Sequence, residues 1–265
     1  MEQKDVNKKY TLADIESTLK LKTWWAAICI LPFSRRIALF LCNRTDIRPN
    51  TVTLISFILR IVSAFCFLRG GYPMLILGAL IFEFAYVLDC VDGSIARLKE
   101  YTSTIGAFYD HATDTMGVTI NFLAIGYTAG VLNSSLFLGV IIIYLYLHFI
   151  TFVAESIFVK EKYRIGLEKS DEVLDKEVIK DAKGTTSLVS RIVVKYRSFF
   201  STKRFKAFIS PPDVEAVVCF IFPVLNKPQT GFVWALWMLS FILVYKLFCY
   251  VYILLLKAGV NNDEV

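Results

Sequence analysis

Residues Asp89–Asp114 read DCVDGSIARLKEYTSTIGAFYDHATD, a polar stretch set between two strongly apolar segments. Asp89, Asp92, Gly93 and Ala96 stand at i, i+3, i+4 and i+7, which is one face of a helix. Gly106, Asp110 and Asp114 stand at i, i+4 and i+8, one face of the next. Two such helices facing each other would aim four carboxylates into one small volume. An ionised side chain at the centre of a bilayer costs ~3 kcal/mol on insertion scales, so four unpaired ones would cost roughly 10 kcal/mol. That is on the order of the stability of a whole domain. Only Arg97 and Lys99 lie close by in sequence, too few bases to balance the acids. Two divalent cations balance four carboxylates, and an all-oxygen ligand set suits Mg2+, Mn2+ or Ca2+.

The rest of the chain supplies the apolar surroundings. Of 265 residues, 56% are hydrophobic and 22 are Phe, and the mean hydropathy of +0.56 is too high for a soluble domain. An all-α integral membrane protein is expected. The first twenty residues are charged and polar, so no cleavable signal peptide is expected. Cys29, Cys42, Cys66, Cys90, Cys219 and Cys249 are scattered through apolar stretches without metal-type spacing and read as small core residues. The net charge of +6 bears on orientation and lipid contact rather than nucleic acid, because the bases flank apolar spans.

Hydropathy and its breaks place six transmembrane helices at about 51–69, 72–92, 105–128, 134–158, 212–226 and 231–256. Ahead of them, residues 12–46 mix Trp24, Trp25 and many aliphatic residues with Lys and Arg, and Pro32 interrupts the run. This predicts an amphipathic helix lying in the membrane interface rather than a seventh span. The chain thus divides into a juxtamembrane segment 1–48 and a membrane domain 49–265 that includes a polar loop 160–210. Segments 1–50, 93–104, 159–210 and 257–265 carry 25 of the 29 Lys and Arg. The positive-inside rule then puts both termini, the loop and the aspartates on the cytoplasmic side, facing in from the plasma membrane if the cell is bacterial or archaeal. Within the loop, Arg191–Lys206 interleaves bases with Phe199, Phe200 and Phe205. It reads as a segment held to anionic lipid, or as a cap over an anionic acceptor.

Other residues invite roles. Arg97 lies one turn beyond Gly93 and can fork onto phosphate oxygens in a way that Lys99 cannot. Gly93 and Gly106 lack side chains, so a ligand could approach the helix backbone there. Arg60 and Glu83 lie at similar depths on either side of the Gly70-Gly71 turn, which predicts an ion pair between them. His111 points about 100° away from Asp110 on a helix and is expected as a pocket residue. His148 and Glu155, seven apart, share a face and could line an acceptor cavity or simply pack. Asp213 and Glu215 follow Pro211-Pro212, where acids suit a helix N-terminus.

The string Asp89-x2-Asp92-Gly93-x2-Ala96-Arg97-x8-Gly106-x3-Asp110-x3-Asp114 resembles the signature of the CDP-alcohol phosphotransferase family at every fixed position. The upstream Pro49-Asn50-x2-Thr53 is similar to that family's first span. The resemblance implies transfer of a substituted phosphate from a CDP-linked donor to an acceptor alcohol, with release of CMP, in phospholipid or related polar-lipid synthesis. It implies two divalent cations, Mg2+ or Mn2+, with Asp89 and Asp110 bridging both, Asp92 completing one site and Asp114 the other. By the same resemblance Asp114 is also the general base. Asn50, Thr53, Gly93, Ala96, Arg97, Ser103 and Gly106 would surround the cytidine diphosphate, and the protein would be a homodimer. The aspartates alone also suit a divalent-cation transporter or a membrane phosphohydrolase. Arg97 and the placement of the cluster at a span end, rather than the midplane, favour the transferase. The residues leave open which alcohol accepts and whether the lipid belongs to the donor or the acceptor.

Overall fold

The computed structural model describes residues 9–18, 23–164 and 209–260, and among them every regular element is helical. The order is α1 (Leu12–Ser17), a π-helical turn (Ala26–Ile30) running into α2 (Leu31–Arg44), α3 (Pro49–Arg69), α4 (Tyr72–Leu98), α5 (Thr104–Thr128) and α6 (Ser135–Arg164). After the loop come α7 (Pro211–Ala216), a second π turn (Val217–Ile221), the short α8 (Phe222–Val224) and α9 (Pro228–Val260). Almost all of the expected loop 160–210, including its basic stretch, lies outside the described residues.

Four of these segments are long and apolar enough to cross a membrane: Ala26–Arg44, Pro49–Arg69, Tyr72–Leu98 and Pro228–Phe248. A shorter apolar stretch, Ser135–Ile150, lies in α6. The chain is therefore a multi-pass membrane protein. Three of the four fall on expected spans. The first, expected at the interface, also has the length and hydropathy to cross, because Pro32 does not break it. Pro32 follows directly on the π turn Ala26–Ile30, and that local widening of the helix accommodates the missing N–H while the backbone stays helical through it.

The α3–α4 hairpin is the frame of the site. Pro49 opens α3, and the turn at its end is made by Gly70 and Gly71 at φ +66° and +77°, a region costly for any side chain. The two helices approach closely through small residues. Ser56 Oγ donates to the Ala85 carbonyl and Ser63 Oγ to the Gly78 carbonyl, each at 2.8 Å, the kind of interhelical bond that lipid-embedded helices use. A Cβ on Gly78 would lie 2.8 Å from the Phe67 ring. Helix α5 packs on the other side of α3, with Thr128 Oγ1 donating to the Phe67 carbonyl at 2.6 Å.

The largest apolar core joins Phe67 of α3, Phe82 of α4, Phe122 of α5, Tyr144 of α6 and Phe232 of α9. A second core lies at the opposite end, where Ile15 of α1 and Ala38 of α2 meet Val91 and Ile95 of α4. The N-terminal helices thus pack against α4 near its aspartates. Helix α4 itself runs to Leu98, six residues past the expected boundary at 92, so its aspartates sit within a continuous helix.

Candidate metal centre and active site

Asp89 and Asp92 come from α4 and Asp110 from α5, and one carboxylate oxygen from each lies within 4.8 Å of the other two. Asp92 is buried, while Asp89 and Asp110 are half-buried. Three acid oxygens this close repel one another strongly in a poorly hydrated setting. An all-oxygen set of this kind fits a hard divalent cation, as the helical spacing indicates.

Asp114 is one turn further along α5, but its carboxylate turns to a different partner. Arg60 of α3, only 2% exposed, makes an ion pair through Nη2 with Asp114 Oδ1. The same nitrogen lies 3.6 Å from Asp89 Oδ1, and Nη1 donates to the Asp114 carbonyl at 3.2 Å. The expected Arg60–Glu83 pair is not formed. Glu83 instead accepts the indole N–H of Trp25 with both oxygens, at 3.1 and 3.0 Å. Equal depth was a poor guide because it says nothing about which way round the helix each side chain faces. Arg60 faces α5, whereas Glu83 faces the N-terminal segment.

The residues expected around a nucleotide split into two groups. Thr53 Oγ1 donates to Asp92 Oδ2 at 2.5 Å and to the Pro49 carbonyl at 3.2 Å. Thr53 is thus a support for an aspartate, reached from α3. Arg97 donates through Nε to the Thr18 carbonyl at 2.8 Å, which ties the end of α4 to the segment after α1. Its Nη2 is buried and has no hydrogen-bond partner among the described residues.

The two signature glycines are filled from within the chain. A Cβ on Gly93 would sit 3.1 Å from Arg97 Nη1, so the guanidinium lies against the helix there. A Cβ on Gly106 would sit 2.9 Å from Ser103 Oγ, with Asn50 Oδ1 at 3.8 Å. Ser103 is the N-cap of α5, accepting the Gly106 N–H at 3.0 Å. The open backbone expected at these positions is therefore a seat for local side chains. Ala96 is half-buried on the same face of α4 as Gly93.

A separate polar group sits between α5, α6 and α7. The His111 and His148 rings stack with centroids 5.4 Å apart, and both line a groove of about 320 Å³ with Phe108, Ala112, Thr115, Met116, Leu145 and Phe149. Thr115 Oγ1 lies 3.3 Å from His148 Nδ1. Glu215 Oε1 lies 3.4 Å from His148 Nε2 and accepts the Tyr144 hydroxyl at 3.0 Å. Glu155 lies outside the described side chains. Asp213 caps α7 as its position suggests, closing a capping box with Ser210 and also accepting the Trp25 backbone N–H at 2.8 Å. Glu215 does not behave as a helix-end acid: it is 4% exposed and joins this network. Its partners are about seventy residues away in sequence, so nothing local could reveal them.

The family model described as CDP-alcohol phosphatidyltransferase covers residues 46–242, from just before α3 into α9. A search of curated proteins found no match to the chain.

Proposed function

The chain belongs to the CDP-alcohol phosphatidyltransferase family, and from that premise we propose that it joins an acceptor alcohol to a substituted phosphate taken from a CDP-linked donor, CDP-diacylglycerol or a soluble CDP-alcohol. The family carries out phosphotransfer from CDP-alcohols in lipid synthesis. The single observation behind the reading of this site is the convergence of Asp89, Asp92 and Asp110 from two helices within the matched region.

The acceptor oxygen attacks the β-phosphorus and forms the new P–O bond. The bond from that phosphorus to the oxygen bridging it to the α-phosphate breaks, and CMP leaves with the electron pair. Asp89, Asp92 and Asp110, with Asp114 beside them, would hold two divalent cations, Mg2+ or Mn2+, which when bound supply charge neutralisation for the diphosphate. Asp114 takes the acceptor's proton. Its Oδ1 is committed to Arg60, so Oδ2 is the oxygen for that transfer. The buried Nη2 of Arg97 donates to a phosphate oxygen, while the Thr18 carbonyl holds Nε and keeps the guanidinium from swinging away. Asn50, Ser103, Gly106, Gly93 and Ala96 border the nucleotide, and Thr53 steadies Asp92. His111 and His148 face the acceptor side, with Glu155 on the same helix as His148. The site opens to the cytoplasm, six spans follow an interfacial N-terminal helix, and two copies associate as a homodimer.

The test is CMP release by the purified full chain in detergent with Mg2+ or Mn2+, a panel of CDP-linked donors, and a panel of alcohols. Release that requires both donor and alcohol is expected. Release with water alone would identify a hydrolase, and Mn2+ uptake by proteoliposomes without CMP release would identify a transporter.

A further inference from the structure

We infer that Arg60 is a positioning residue of the acid cluster: it holds Asp114 at both carboxylate and carbonyl, and it fixes the charge that a bound cation meets. Its catalytic part rests on the transferase reading given above; its cation-binding part does not.

An arginine in the middle of an apolar helix is costly unless every neighbour accommodates it. Here each neighbouring helix does. On α5, Gly117 leaves open the space through which the side chain passes, and a Cβ there would run into Arg60 Cδ. One turn on, Asn121 Nδ2 donates to the Arg60 carbonyl at 3.0 Å and to the Gly117 carbonyl at 2.8 Å, fixing α3 against α5 at this level. On α4, the Phe82 ring lies 5.7 Å from Arg60 Cζ, within cation–π range. The guanidinium then reaches two aspartates on two different helices. An aliphatic residue would fill this space at far less cost, so packing alone does not account for the arginine.

Two consequences follow. When cation binding has ionised all four carboxylates, the Arg60 guanidinium beside Asp89 and Asp114 brings their net charge from −4 to −3, so a cation meets a weaker field than four bare acids would give. Asp114 is also held by two hydrogen-bonding contacts from one rigid, planar group, which lysine cannot reproduce.

The experiment uses the full chain in detergent and measures Mn2+ affinity by electron paramagnetic resonance beside kcat and donor KM. Arg60→Gln should bind Mn2+ at least about tenfold more tightly, because a positive charge beside Asp89 is gone. Arg60→Lys keeps the charge and should bind Mn2+ within about threefold of wild type, yet lose about tenfold or more in kcat at little-changed donor KM. Gly117→Ala keeps every charge and displaces the side chain, and it should match the kcat loss of Arg60→Lys. Should Arg60→Gln not survive purification, Arg60→Lys and Gly117→Ala carry the test. Wild-type or weaker Mn2+ binding by Arg60→Gln overturns the inference, as does wild-type kcat in both Arg60→Lys and Gly117→Ala. Mn2+ binding is independent of the acceptor, so failure there counts against Arg60 alone. A wild type that binds Mn2+ but releases no CMP counts against the transferase reading.

Discussion

The hydroxyl of Thr53 lies 2.5 Å from Oδ2 of Asp92, so α3, which brings no aspartate of its own to the cluster, still orients one of the three converging carboxylates. Outer partners of metal-binding carboxylates are worth about 10–100-fold in metal affinity. Thr53→Val, which removes the hydroxyl and keeps the shape, is expected to raise the Mn2+ concentration giving half-maximal activity by about that factor. Thr53→Ser should restore most of it.

The three aspartates themselves should behave as a set. Asp89→Asn, Asp92→Asn and Asp110→Asn are each expected to lower CMP release at saturating donor by about 100-fold or more, with the loss only partly recovered by raising Mn2+. EDTA should abolish wild-type activity, and added Mg2+ or Mn2+ should return it. A variant with full activity in EDTA would count against a cation-dependent site.

Arg97 and Gly93 make a linked pair. The guanidinium rests against the α4 backbone where Gly93 leaves room, 3.1 Å from where a Cβ would stand. Arg97→Lys should cost about 10–100-fold in kcat/KM, expressed mainly as a higher donor KM, because a forked contact to phosphate becomes a point charge. Gly93→Ala crowds the same group and should raise donor KM in the same direction while leaving Mn2+ affinity near wild type. Isothermal titration with CDP-diacylglycerol or a CDP-alcohol separates the two effects.

Glu83 and Trp25 supply a stability test. Trp25→Phe leaves a half-buried carboxylate without the indole N–H that both its oxygens accept. A lost hydrogen bond to a charged group costs about 1.5–3 kcal/mol, which thermal unfolding in detergent should register as a lower melting temperature. Trp25→Phe combined with Glu83→Gln should recover a substantial part of the loss, since the charge left stranded by the first change is gone.

What could be read from the sequence follows the range of the interactions involved. The spacing from Asp89 to Asp110 specifies two helix faces, and those faces meet as expected. Pro49 and Gly70-Gly71 mark the ends of α3 because their backbone constraints act locally. Gly93 and Gly106 were legible as places needing a missing side chain, but not as seats for Arg97 and Ser103, four and three residues away on the same helices. Periodicity counts residues on a face without saying which way a long side chain lies. Arg60 was legible as buried and paired, while its partner depended on the rotation of α3 against α5, which Gly117 and Asn121 set. Glu215 was opaque for another reason: Tyr144 and His148 reach it only after α6 and α7 pack.

The hydrogen bond from the Trp25 backbone to Asp213 joins residues 188 apart in the chain, and Arg97 leans on the carbonyl of Thr18. What looks on paper like a dispensable leader is thus a clasp between the first and last thirds of the protein. Trimming an expression clone to begin at Leu31 would strip a donor from the cap of α7 and an acceptor from beneath Arg97 in one cut, so shortened versions should be designed upstream of Tyr10, whose backbone already bonds Asn43.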